Sequence, residues 1–477
     1  MFDLDQAQRD AVGLNFVLNQ LSCRSPYGAE EIRRFAPFGA NDKAKLLECF
    51  DNMENILIFA KKHPDTFDEL CNLLAHFNNI RGTTAKLENT ALNQVELFEI
   101  KQFLLIFERF LSVFGKVDEQ INLVRISFMP MTAALDILDP QGARIAPFSI
   151  ENSFSPALIV IRQEKGKIEA LLRQETNQHR RGELLVMRTD IVAKEDAEES
   201  RVMAELSQEL RRHVSVFCAN MDNLGKLDVA IAKALLALKY SAVRPKIGGK
   251  RLVLKNMTNP MIAAILAENG RAFTKISISL DVGTTIITGA NMGGKSVAMR
   301  TTVLNAMLCR LGFFVFAEEA KIPLFDGICL VSEDMQDMQL GLSSFAAEIT
   351  RLDQIVKRSR DAFLLIALDE LARATNPQEG AAIVRAVATY FADSGCICLM
   401  STHYDGIARP GMKHYQVAGL SANVKNAAFI GDDMDYRLLE ACPNTPPPRD
   451  TLRICSLLGL DEGVQALIDK EVLLKHD

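Results

Sequence analysis

Two textures of apolar and polar positions divide the chain near residue 240. In the first, apolar residues recur at helical steps and Gly and Pro are few. Phe98, Phe103, Phe107, Phe110, Leu111 and Phe114 mark one stripe, mostly at three- and four-residue steps. Val202, Leu206, Leu210, Val214 and Phe217 mark another. Phe154 to Arg173 reads as a further helix, Asp139-Pro140-Gln141-Gly142 as a turn, and Glu183-Leu184-Leu185-Val186-Met187 as a short strand. The pattern predicts a helical region with two long arms and a small insertion, its stripes serving core packing or a coiled coil.

Beyond residue 240, apolar runs of strand length alternate with helical segments. Thr284-Thr285-Ile286-Ile287-Thr288 is one strand, and Val297 to Leu311 follows as a helix. The runs from Ala362 to Leu368 and from Cys396 to Met400 are two more strands. Fully apolar strands separated by helices are what a buried parallel sheet requires, with helices covering both faces. The expected class is therefore α/β, a largely parallel sheet preceded by a mostly helical domain.

Composition narrows the picture a little. A chain of 477 residues is too long for one compact core. With 48% apolar and 24% charged residues it reads as an ordinary globular protein, and a net charge of −6 argues against coating nucleic acid by bulk attraction. The ten cysteines carry no paired metal-ligand spacing, and Cys396 and Cys398 read as small hydrophobes of a buried strand. The N-terminus shows no basic segment ahead of an apolar one, and no apolar run reaches about 18 residues. A cytoplasmic protein with reduced thiols and no membrane partner is expected.

Candidate chemistry lies at the end of the first strand. Gly289-Ala290-Asn291-Met292-Gly293-Gly294-Lys295-Ser296 fits the phosphate-loop pattern, with a strand before it and a helix after it. Glycines let successive backbone N–H groups converge on phosphate oxygens, and the helix points its positive end at the same place. Lys295 can reach the outer phosphates, and the Ser296 hydroxyl can ligate Mg2+. The second apolar strand ends in Asp369-Glu370, where one acid can support the metal and the next can polarise an attacking water. A third strand ends in Ser401-Thr402-His403, where the imidazole either senses a γ-phosphate or is an ordinary hydrogen-bonded histidine.

In this order, GANMGGKS with Met299-Arg300, Ser343-Ser344-Phe345 with Glu348, LDELARAT and STHY resemble the ATPase domain of the MutS family, which belongs to the ABC class of P-loop NTPases. The likeness covers about residues 240 to 475. More faintly, LNFVLNQLSCRSPYGAEEIRRF resembles the opening of the family's helical core, and the segment from Leu138 to Arg173 resembles the branch without a mismatch-reading domain. The resemblance implies a helical core with lever helices over residues 1–240 and an ATPase domain over 241–477. It implies ATP and Mg2+ as cofactors, with residues 289–296 around the phosphates, Ser296 and Asp369 supporting the metal, Glu370 activating water and His403 beside the γ-phosphate. It also implies a homodimer, or a heterodimer with a paralogue, in which Ser343 and Ser344 reach the partner's nucleotide.

Several positions depart from the family pattern. Ala290 stands for a proline, Val297 for a threonine, Leu342 for an arginine, and Ala372 and Ala374 for two glycines. The chain also starts at the helical core and ends soon after the ATPase region, so neither a mismatch-reading module nor a nuclease module is expected. Basic clusters at His179-Arg180-Arg181 and Arg211-Arg212-His213 read as solvated helix surface or as phosphate contacts. Two functions stay open: a dimeric DNA-associated clamp driven by nucleotide, and a protein-remodelling ATPase resembling the partner of a chaperone that reactivates a cobalamin-dependent lysine aminomutase. A pure conformational switch with little turnover is a third.

Overall fold

The computed structural model describes residues 3–289, 294–332, 344–373, 375–420, 434–441 and 460–474. Helices α1 Gln6–Val12, α2 Leu14–Leu18, α3 Pro26–Arg33, α4 Lys43–Lys62, α5 Pro64–Ala75, α6 Arg81–Leu87, α7 Gln94–Asp118, α8 Thr132–Leu138, α9 Pro156–Gln174, α10 Gln178–Arg211 and α11 Val214–Lys239 come first. The mixed half follows as β1 Lys246–Ile247, β2 Leu252–Met257, α12 Pro260–Glu268, β3 Ile276–Leu280, β4 Gly283–Thr288, α13 Lys295–Arg310, β5 Glu319–Ile322 and β6 Gly327–Val331. It continues through α14 Ser344–Arg358, β7 Leu364–Asp369, α15 Pro377–Ala392, β8 Ile397–Ser401, β9 Lys413–Leu420 and β10 Met434–Glu440, with a helix Glu462–Leu474 near the end.

The chain forms two compact units. One comprises Ser22–Arg34 and Asp51–Ala232, the other Met1–Leu21, Phe35–Phe50 and Lys233–Asp477. The second unit takes in two N-terminal segments as well as everything from Lys233 onward.

In the helical unit, α7 supplies the spine. Asn93 and Glu96 close a reciprocal capping box at its start. Phe103, Phe107, Phe110 and Phe114 then bury one face against Phe77, Phe128 and Phe217, with Phe77–Phe103 centroids 5.2 Å apart and Phe114–Phe128 at 4.7 Å. Phe98 of the same stripe is exposed instead. The long arms α9 and α10 pack as a hairpin, fastened by Arg162 to Glu195 at 2.9 Å and to Glu199 at 2.7 Å. The strand expected over Glu183 to Met187 is part of α10: only Leu184 of the four apolar residues is buried, so the run is one turn of an amphipathic helix. Arg211 donates to the Leu87 carbonyl at 2.9 Å, and it is exposed, as are His179, Arg180 and Arg181.

The α/β unit holds two sheets, in the orders β1-β5-β2-β3 and β10-β9-β4-β8-β7-β6. In the second, β9, β4, β8, β7 and β6 are mutually parallel and β10 joins antiparallel at the edge. Strands β4, β6, β7 and β8 are buried at every position, as strands covered on both faces must be. On one face α14 and α15 bring Leu352, Ile355, Val384, Ala388 and Phe391 against Ile366, Leu368, Cys398 and Met400. Cys396 and Cys398 lie in this interior, and burial pushes both thiols up, out of the reactive range.

The N-terminal segment belongs to this unit because its polar groups are used there. Asp3 pairs with Arg310 at the end of α13, reaches Arg358 at 3.0 Å and accepts the Ile328 N–H at 3.1 Å. Gln8 donates to the Leu330 carbonyl at 2.8 Å. Burial alone would raise the Asp3 carboxyl, but Arg310, the Ile328 amide and Arg358 together hold it below its ordinary value. Its folded pKa is thus below the unfolded one, so its contribution is present above the ordinary carboxylate range and is lost as pH falls through the folded value. Asp3→Asn, which leaves the buried Arg310 without its carboxylate, should cost about 2–4 kcal/mol by denaturant titration near pH 7, a gap that narrows in acid.

Candidate functional site

The site is assembled where β4, β7 and β8 end side by side. β4 runs out at Thr288, and Gly289 follows at φ 140° with room for no side chain, since a Cβ there would lie 3.1 Å from Val417. Gly294 closes the loop at φ 83°, where a Cβ would meet the Tyr436 ring of β10 at 3.0 Å. Ala290, Asn291, Met292 and Gly293 lie outside the described residues. From Gly294 the chain enters α13, whose start has no side-chain cap and no acid in its first turn. Its first amides are therefore not satisfied by the helix's own side chains, which is the property of an anion-binding helix start.

Lys295 is 2% exposed. Its ammonium donates to the Gly289 carbonyl at 2.8 Å and lies 3.3 Å from Glu370. The next residue, Ser296, donates to the Asp369 carboxylate at 3.0 Å. Asp369 ends β7, paired in register with Ser401 at the end of β8, and the Ser401 hydroxyl donates to the same Asp369 oxygen at 2.6 Å. Two hydroxyls thus fix one carboxylate at the foot of the helix. A serine hydroxyl beside a carboxylate is a hard-oxygen donor pair that suits Mg2+, which keeps most of its waters and needs few protein ligands. Among the described residues no group of three or more His, Cys, Asp or Glu could hold a metal by itself.

Glu370 turns sharply out of the strand at φ 50°, its amide donating to the Ser401 hydroxyl at 3.1 Å. The carboxylate sits between Lys295 and Arg373, the latter at 3.1 Å, and its side chain is 9% exposed. Ala372 is also left-handed, at φ 59°. A non-glycine residue in that region costs about 1–2 kcal/mol, so this short loop holds strain that its neighbours must sustain. His403 follows β8 on an exposed position with its ring 4.2 Å from that of Tyr404. Ser344 opens α14, and Ser343 lies outside the described residues.

Lys295, Ser296, Asp369 and Glu370 are thus brought together from segments more than 70 residues apart. Sequence reasoning missed what Ser401 does, because its link to Asp369 exists only through the register of β7 and β8. It also missed the buried contact of Thr288 with His414, whose hydroxyl and Nε2 are 2.8 Å apart just before the loop. A threonine ending an apolar strand was the available signal. Tyr436 had none, since its place against Gly294 depends on an edge strand far along the chain.

Residues 285–439 match the family model described as MutS domain V. Over 287 residues the chain is 32% identical to the endonuclease MutS2 of Latilactobacillus sakei, covering 59% of this chain and 34% of that protein. It is 29% identical over 286 residues to the endonuclease MutS2 of Caldanaerobacter subterraneus, covering 58% and 34%. It is 32% identical over 223 residues to the DNA mismatch repair protein MutS of Thermus thermophilus, covering 46% and 27%. The chain spans about a third or less of the length of these curated relatives. The matched segment contains most of β4 together with Lys295, Ser296, Asp369, Glu370 and His403, so that the site and the family likeness coincide: the chain carries a MutS domain V.

Proposed function

We propose that this protein binds and hydrolyses ATP as a P-loop ATPase of the ABC class, acting as a dimer associated with DNA. The observation that carries the reading is the meeting of Lys295, Ser296, Asp369 and Glu370 at the start of one helix and the ends of adjacent parallel strands. The triphosphate lies against the first amides of α13 with Lys295 on its outer oxygens. Ser296 and Asp369 would hold Mg2+, which when bound would supply charge neutralisation at the phosphate oxygens. A phosphate that takes the Lys295 ammonium replaces Glu370 as its counter-ion. Glu370, thereby released from one cation, would accept a proton from the water whose oxygen bonds to the γ-phosphorus as the bond to the bridging oxygen breaks, giving inorganic phosphate and ADP. Ser344, which opens α14, and Ser343 before it in the sequence would serve the nucleotide of a second subunit, identical or paralogous.

The DNA half of the reading is supported by the relatives, one named for DNA mismatch repair and two as endonucleases. None of the three is named for an aminomutase partner, so the protein-client alternative gains nothing from them. The α9–α10 hairpin, with His179, Arg180 and Arg181 exposed where α10 begins, is the element offered to the backbone. Calorimetry with ATP and Mg2+, followed by a phosphate-release assay, tests the nucleotide half. Fluorescence anisotropy with duplex and branched oligonucleotides tests the other. Several phosphate contacts should weaken binding on the order of a hundredfold or more between about 50 and 200 mM salt. Absence of retained DNA at the lower salt, with and without ATP, would remove the DNA association and leave the ATPase.

A further inference from the structure

We propose that Glu348 is a positioning residue that couples helix α14 to the hydrolytic carboxylate, by gripping the backbone of Ala372 two residues beyond Glu370. This inference rests on the hydrolytic reading above.

The apolar stripe of α14 is Phe345, Ile349, Leu352, Ile355 and Val356, which pack on the sheet face. Glu348 lies within that stripe, one helical turn from Phe345, where a carboxylate is out of place unless something receives it. The Ala372 amide does: it donates to Glu348 Oε2 at 3.1 Å. On the other side of the same residue the Ala372 carbonyl accepts the Tyr404 hydroxyl at 3.1 Å. Tyr404 follows His403 in the loop after β8, so both peptide groups of Ala372 are held, one by α14 and one by the loop of Ser401 and His403.

Gly380 of α15 clears the space for this grip, because a Cβ there would come within 2.3 Å of the Tyr404 hydroxyl oxygen and 2.9 Å of the Ala372 carbonyl. Burial, and secondarily the nearby negative charge of Glu348, push the Tyr404 hydroxyl above its ordinary range, so the tyrosine stays a neutral donor.

A left-handed alanine held at both ends determines where its neighbours point. Glu370 precedes Ala372 in the same tight loop and Arg373 follows it, and those two side chains are paired at 3.1 Å. A rotation or shift of α14 would therefore be passed through Glu348 to the Ala372 peptide, and so to the Glu370 carboxylate and its Arg373 partner. Since α14 opens with Ser344, docking of a second subunit on that end would be reported at Glu370 by this route. Glu348 itself touches neither phosphate nor water in this scheme. Its effect is on turnover and not on nucleotide affinity.

Glu348→Ala, Glu348→Gln and Tyr404→Phe test it in the full chain. Glutamine keeps an oxygen that can accept the Ala372 amide, and alanine does not. Glu348→Ala should lower kcat at least about tenfold while the Kd for a fluorescent ATP analogue moves by less than about threefold, and Glu348→Gln should recover most of the loss. Tyr404→Phe should lower kcat in the same sense. Hydrogen exchange over residues 370–373, read without nucleotide, should quicken about tenfold or more in Glu348→Ala and stay near the parent in Glu348→Gln. Unchanged exchange in Glu348→Ala overturns the proposal, as does an equal loss of affinity, turnover and Tm in the alanine and glutamine variants. A parent that does not split ATP would defeat the hydrolytic reading, whereas the exchange measurement still decides whether Glu348 holds the Ala372 peptide.

Discussion

Lys295→Ala is expected to abolish productive nucleotide binding. Lys295 is nearly sealed from solvent, and its ammonium is held by the Gly289 carbonyl. A cation so placed acts in a water-excluded site, where removing one charge-bearing donor costs about 3–4 kcal/mol, or roughly 10^2–10^3 in turnover. The substitution has a second effect in the same direction. It takes one cation from beside Glu370, leaving a largely buried carboxylate beside Arg373 at 3.1 Å and an approaching triphosphate to face uncompensated negative charge. Calorimetry with ATP and with ADP, each with Mg2+, should show Kd raised by a factor on the order of 10^3. Lys295→Arg should not restore it, since a planar guanidinium does not fit a slot shaped for a point charge between Gly289 and Glu370. A Kd for Lys295→Ala within about threefold of the parent would refute the assignment of the loop.

Glu370→Gln should separate binding from hydrolysis. The amide has the size of the carboxylate and can still accept from Arg373, so the strained turn at φ 50° has no new reason to move. What disappears is the group that takes the water's proton, worth about 10^2–10^4 in rate. Affinity should go the other way. With no carboxylate 3.3 Å away, Lys295 meets the phosphates without a competing anion, so ATP should bind as well as in the parent or more tightly. The ATP-bound dimer should then accumulate, visible as a larger species in size exclusion with ATP and absent with ADP. Single-turnover rates at parental level would show that another group is the base.

Much of this candidate site could be read from the chain because each of its two main segments is contiguous in sequence. The strand, the glycines, Lys295 and Ser296 fall in one run, and Asp369-Glu370 closes an apolar strand. What could not be read depends on register and on distance along the chain. Ser401 meets Asp369 because β7 and β8 align in one register, which no local pattern states. Gln8 reaches Leu330 across 322 positions, so the N-terminal segment gave no sign that it belonged with the sheet. The arm region misled for a different reason. Leu184 to Met187 is as apolar as a strand, but α10 is held by charged pairs along its length, such as Arg180 with Glu183 at 2.8 Å. One apolar run is then absorbed into 34 helical residues.

The anchoring of Asp3 and Gln8 has a practical bearing on how the α/β unit can be handled. Anyone trimming the gene to its α/β portion would naturally begin after α11, and such a piece would bare the Arg310 guanidinium, 4% exposed in the whole chain, together with the surface that α1 covers on α13. That piece should come out of cells as aggregate. Supplying residues 1–50 as a separate peptide, or fusing them through a short linker, should bring it back into solution, and a purification handle is better carried elsewhere than on the first residues.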